Sequence, residues 1–194
     1  MHLTETCDPE APNVITNVET TLATTPDDNM VAVVHQSLEQ SSLLPSEHLV
    51  DKGYTDSRVL VDGRQRHDVT IVGPVADDPS WRARSADGFT KAQFQVDWDR
   101  EVVTCPAGKQ SISWLPNTWP ENGMRFEARF ARRDCTPCPL RPRCTRAKNE
   151  PRLIGLQARE YFEALQAARR RQTTEEFRQD HAARGNRGHA RTGG

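Results

Sequence analysis

The chain of 194 residues has no apolar run approaching a membrane span. Its opening residues, M-H-L-T-E-T-C-D-P-E, are acidic and lack the apolar core of a signal peptide. A cytoplasmic protein without a membrane partner is the expectation. An even cysteine set is also missing: five cysteines in a reducing compartment argue against structural disulfides, and the odd count argues further. Apolar residues are in short supply, at 35% against 27% charged, and with 13 prolines and a mean hydropathy of -0.77 they predict long loops and a modest core. Net charge is nearly absent, at -1, but the balance conceals a division. Residues 1–124 hold 9 basic and 19 acidic side chains, net -10, whereas residues 125–194 hold 17 and 8, net +9. A positive last third beside a carboxylate-bearing remainder fits a protein that binds nucleic-acid backbone and handles metal. A solvated arginine-rich helix face with no partner would give the same count.

What is present centres on H-L-V-D-K-G-Y, residues 48–54. Leu49 and Val50 form a short apolar run that ends on Asp51, and Gly53 then lets the chain turn away. An aspartate at a strand end can cap or form a turn. It can also hold a divalent cation against a phosphate, because ligands of open α/β sheets gather beyond strand ends. Thr55-Asp56-Ser57 reads as a helix N-cap, and Asp68 to Pro74 is a β-branched run closed by Gly-Pro. Upstream, residues 13–21 alternate at Val14, Thr16 and Val18 as a strand with one buried face does. Val31, Val34 and Leu38 fall at helical spacing, with Asp27 and Asp28 as caps.

Residues 75–87 read as a loop. Beyond them, 94–97 and 100–105 form the arms of a hairpin, with strands at 111–114 and 124–130 and with Trp114 and Trp119 packing on them as small-domain core. Four cysteines form a pattern. Cys135 and Cys138 offer two thiolates from one turn, Cys144 returns after a proline-rich loop, and Cys105 in C-P-A-G-K makes a second turn. Soft thiolates in a tetrahedral set select zinc, and four of them leave no open position for water, so the metal would be structural. A set of reduced, half-buried thiols is the alternative, and Cys7 stands apart without a role. Residues 152–156 suggest a strand returning to the core, residues 158–172 a helix, and Thr174 the cap of another, for which Glu175 and Glu176 at its start need only capping and the helix dipole.

The series D-K-G-Y-x-D, helix, V-x-I-V-G-P resembles the central part of bacterial insertion-sequence transposases of the DDE type. C-P-A-G-K from Cys105, C-T-P-C-P-L-R-P-R-C-T from Cys135 and R-Q-T-T-E-E-F-R from Arg171 resemble one subgroup, and the likeness spans residues 1–184. It implies an α/β fold with an incomplete ribonuclease-H-like core, an inserted zinc-ribbon-like β subdomain and C-terminal helices. Residues 1–80 would be the partial core, 81–151 the insert, 152–184 the return strand and basic helices, and 185–194 a disordered tail. In that family three acids hold two magnesium ions; Asp51 aligns with the second. The relatives' motif Y-K-V-H-L-x-E-T places the first acid upstream of Met1, and Asp8, before a proline, is a poor substitute. The third lies in a motif that a frame change just before Arg184 would encode out of frame, so the chain as translated is expected to be inactive alone. DNA transposition, with DNA and a second copy of the chain as partners, is the function implied; a non-catalytic zinc-ribbon module that binds nucleic acid is the alternative.

Overall fold

A computed structural model describes residues 1–7, 10–119 and 123–187, the side chains of 119 and 182–187 excepted. The chain divides into two compact units: residues 1–76 with 163–194, and residues 77–162. The boundaries therefore differ from the expected 80/81 and 151/152.

In the first unit β1 (His2–Glu5) pairs antiparallel with β2 (Ile15–Glu19), a 3-10 turn at Asp27–Asn29 leads into α1 (Met30–Gln40), and β3 (Glu47–Leu49) is followed by α2 (Ser57–His67) and β4 (Thr70–Val72). β3 and β4 are parallel, with His48 opposite Ile71 and Leu49 opposite Val72. A parallel pair needs a crossover, and α2 supplies it. Its start is fixed by Asp56, whose carboxylate accepts a hydrogen bond from the Val59 amide at 2.7 Å. Val31, Val50, Val69 and Ile71 are buried together between these elements. Each such side chain contributes about 1.5–3 kcal/mol by leaving water.

Where the resemblance implies an incomplete ribonuclease-H-like core, the described residues of this unit form two separate two-stranded sheets, β1–β2 and β3–β4. The buried face expected of the 13–21 strand is also corrected. Val14 and Val18 remain 55% and 52% exposed, and Leu3, which pairs with Val18, is 56% exposed. The hairpin rests on α1 through polar groups instead, with the Ser37 hydroxyl donating to the Asn17 side-chain oxygen at 3.0 Å.

The second unit begins with a short helix, α3 (Trp81–Arg84), and a hairpin of β5 (Gln95–Asp97) and β6 (Val102–Thr104). β7 (Ser111–Trp119), β8 (Gly123–Phe130) and β9 (Leu153–Gln157) form a three-stranded antiparallel sheet, with α4 (Arg132–Cys135) and α5 (Arg141–Cys144) between β8 and β9. The strand expected to return to the first unit thus closes the sheet of the second: Ile154 lies opposite Ala128 and Leu156 opposite Phe126. Phe89, Phe94, Val103, Ala128, Phe130, Ile154 and Leu156 are its buried core. Trp98 packs edge-on against Trp114 and Phe162, with ring centroids 5.4 and 5.8 Å away. Trp114 is core, as expected; the Trp119 side chain lies outside the described residues.

The chain ends in α6 (Arg159–Arg171) and α7 (Glu175–Arg187). Thr174 caps α7 by accepting from the Phe177 amide at 3.2 Å. Asp8 and residues 188–194 of the expected tail lie outside the described residues, among which no helix is long and apolar enough to cross a membrane.

Candidate functional site: a strand-end carboxylate and a four-cysteine cavity

Asp51 sits one residue beyond Val50, whose amide extends the β3–β4 ladder by donating to the Val72 carbonyl at 2.8 Å. It is exposed, stands at the head of a 3-10 turn, Lys52–Tyr54, and its side chain makes no capping hydrogen bond. The alternative of a simple cap therefore has no hydrogen bond behind it. The turn is tethered from several directions. Tyr54 Oη lies 2.6 Å from His2 Nδ1 of β1, and the Thr55 hydroxyl donates to the carbonyls of Lys52, at 3.1 Å, and Pro74. Gly73 is required by close approach, since a Cβ there would fall 2.5 Å from the Val50 carbonyl oxygen.

A second carboxylate borders this turn. A Cβ on Gly53 would come within 2.8 Å of Asp27 Oδ2, so glycine makes room for the Asp27 side chain two residues beyond Asp51. Sequence reasoning gave Asp27 and Asp28 to capping. No side-chain capping bond is made at Pro26 or Asn29, the N-caps of the 3-10 turn and of α1: Asp28 accepts from the adjacent Asn29 amide at 3.0 Å, and the approach of Asp27 to Gly53 was missed. The glycine of D-K-G was the available signal.

Close by in the same unit, three imidazoles gather that the sequence did not single out. His35 of α1 is 1% exposed, its Nε2 lies 3.0 Å from His48 Nδ1 of β3, and its ring centroid is 5.3 Å from that of His67 of α2. Burial, and then the charges that His48 and His67 would carry, hold its pKa down at about 4.

Cys105, Cys135, Cys138 and Cys144 line one cavity of the second unit, about 30 Å³ in volume and also walled by Phe89 and Phe130. All four thiols are free. The turn at Cys105 is closed by the Gly108 amide donating to its carbonyl at 2.8 Å, with Gly108 at φ +74°. Cys135 and Cys144 are the last residues of α4 and α5. Arg141 Nη1 donates to the Cys135 carbonyl at 3.3 Å and Arg82 Nε to the Cys144 carbonyl at 2.7 Å. Burial pushes the Cys135 and Cys144 thiols up, while the Arg152 backbone amide draws Cys135 and the Arg152 charge draws Cys144 the other way. Cys7 is exposed and apart.

The donor types are those of the ions the sequence implied: carboxylate oxygens for magnesium at Asp51 and Asp27, thiols for zinc. Closure is another matter. Among the described residues no three His, Cys, Asp or Glu side chains are gathered as a group that could hold a metal ion.

Comparison with known proteins gives one family. Residues 104–188 match a family model described as a transposase DDE domain, a span that takes in all four clustered cysteines, β9 and α6 but stops short of Asp51. No curated protein and no solved structure matches the chain.

Proposed function

We propose that the chain, whose residues 104–188 match a family model described as a transposase DDE domain, takes part in DNA transposition as the part of a metal-dependent phosphoryl transferase that carries Asp51. The observation that supports Asp51 is its place: an exposed residue at the end of a parallel strand pair, at the head of a turn tethered by its neighbours. Asp51 would hold magnesium, and Asp27 is the next acid available to it. Bound magnesium supplies Lewis-acid stabilisation of a phosphodiester under in-line attack. Asp51 and Asp27 fix oxygen donors at one edge of the first unit; a full set of three acids would be needed for two ions. Cys105, Cys135, Cys138 and Cys144 would hold a structural zinc, supported by the cavity they share.

A second reading has its own observation, since the family match covers the cysteine unit and omits Asp51. In it the chain is a non-catalytic nucleic-acid-binding module. Manganese, a paramagnetic substitute for magnesium, separates the two by electron paramagnetic resonance titration. The transposase reading expects a weak site that Asp51→Asn abolishes and Asp27→Asn weakens severalfold. No manganese binding, or binding indifferent to Asp51→Asn, would leave the module.

A further inference from the structure

We propose that the arginines gathered around Trp81 in the second unit form a seat for the phosphodiester backbone of DNA, an inference that rests on the DNA-directed reading above and assigns it a contact surface. Trp81 opens α3 with two guanidinium groups over its ring, Arg82 at 4.8 Å and Arg146 at 4.3 Å from the centroid. Cation–π stacking of this kind holds a guanidinium flat and keeps its N–H edge available to a planar acceptor such as phosphate. Arg152, the third member, is half-buried, and its Nε is buried without a hydrogen-bond partner.

Five other arginines of its unit are balanced differently. Arg100, Arg129, Arg132, Arg143 and Arg159 each pair with a carboxylate, and their charge is met within the fold. Burial, then the Cys144 sulfur, Asp78 and the neighbouring guanidiniums, act on Arg82 and Arg152: Cys144 and Asp78 favour their charge, while Arg82 and Arg152 oppose one another and Arg146 opposes Arg82. The three guanidiniums outnumber the one carboxylate that acts on Arg82 and Arg152, with the Cys144 sulfur as the other negative group beside them. The whole unit, residues 77–162, carries 15 basic and 11 acidic side chains, net +4, while the remaining residues carry 11 and 16, net -5. A polyanion is therefore attracted to this unit before any contact is made.

A nucleic-acid backbone fits better than a lone anion. Arg146 is exposed, and a polyanion gains by releasing counterions from each phosphate it brings to it, which a lone anion does not. Trp81, already covered by two guanidiniums, is a scaffold for the cations and not a platform for a base.

The test is fluorescence anisotropy of a labelled DNA duplex titrated with the full chain, repeated between about 50 and 200 mM salt. Arg146→Gln, at an exposed position that leaves the fold alone, is expected to weaken binding severalfold and to lower the slope of log affinity against log salt by about 1. Arg146→Lys should restore the slope, and Arg100→Gln, whose partner is Asp97, should leave it unchanged. Inorganic phosphate at equal ionic strength should compete no better than chloride; specific competition would replace the DNA seat by a free-phosphate site. Wild-type binding with an unaltered slope in Arg146→Gln and in Arg82→Gln/Arg146→Gln would overturn the seat and leave the transposase reading standing. A wild-type chain that binds no duplex would overturn both.

Discussion

The two units are built from different materials. Residues 1–76 with 163–194 bury aliphatic side chains, Val31, Val50, Val69 and Ile71, between helices and strands of three to five residues, and they are net acidic. Residues 77–162 bury phenylalanines under an antiparallel sheet with strands of up to nine residues, hold the four clustered cysteines and are net basic. The family match falls on the second of these and on the helices after it, while the acid with the best claim to catalysis stands in the first. The proposed binding surface and the proposed catalytic acid thus fall in different compact units. All four tryptophans, 81, 98, 114 and 119, lie in the second unit, so tryptophan fluorescence reports on it selectively.

The largest expected effect is removal of metal from the second unit. Purified protein should carry about one zinc per chain, and chelation should collapse the tryptophan signal while sparing the helical signal of the first unit, because structural zinc contributes on the order of 10 kcal/mol of folding free energy. Cys135→Ser should do the same, since it removes one thiolate of the four from the shared cavity. Protein that holds no zinc under reducing conditions and keeps its tryptophan environment would make the cavity a cluster of ordinary thiols and erase this contrast between the units.

Acidity should act on the other unit. His35 has its folded pKa depressed from 6.5 to about 4, so the unfolded chain takes up the proton first. Stability is fully present above about 6.5 and is lost as pH falls towards 4, by up to about 3 kcal/mol. The groups facing the cluster do not reverse that sign. Glu39 Oε2 lies 3.4 Å from His67 Nδ1, and Asp62, Arg66 and Asp28 line the neighbouring cavity. Far-UV unfolding curves from pH 7 to pH 4 should therefore shift, while tryptophan fluorescence stays level. His35→Leu should flatten the far-UV dependence. An unchanged slope in that variant would move the acid sensitivity elsewhere.

What the sequence disclosed follows from what is local. The Asp56 cap, the run from Met30, the short strands on either side of α2, the hairpin arms and the Thr174 cap are set by neighbours a few residues apart, and they were legible. Pairing between distant segments was not. Leu153–Gln157 has the composition of any buried strand, and nothing within it says that β8 is its partner. The same limit hid the cluster of His35, His48 and His67, spread over three elements, and the approach of Asp27 to Gly53. The cysteines were legible as a set because their residue type and spacing carry the signal; that they line one cavity needed the fold.

The smallest expected effect tests whether the units are independent at all. Asp56 holds the first turn of α2 with backbone angles of φ -136° and ψ 176°, outside the helix, and one carboxylate bond to Val59. Its ion pair with Arg58, at 3.7 Å between side chains 36% and 66% exposed, adds little in water. Asp56→Ala should therefore lose mainly the cap, about 1 kcal/mol, and Asp56→Asn, which keeps an acceptor oxygen and gives up only the charge at the helix N-terminus, a few tenths. Because α2 packs on β4 and carries His67, the loss belongs to the first unit. The far-UV midpoint should fall by a few degrees with the tryptophan midpoint unmoved. If Asp56→Ala lowers both midpoints equally, the two units unfold as one, and the selectivity expected for metal removal and for acid must disappear with it.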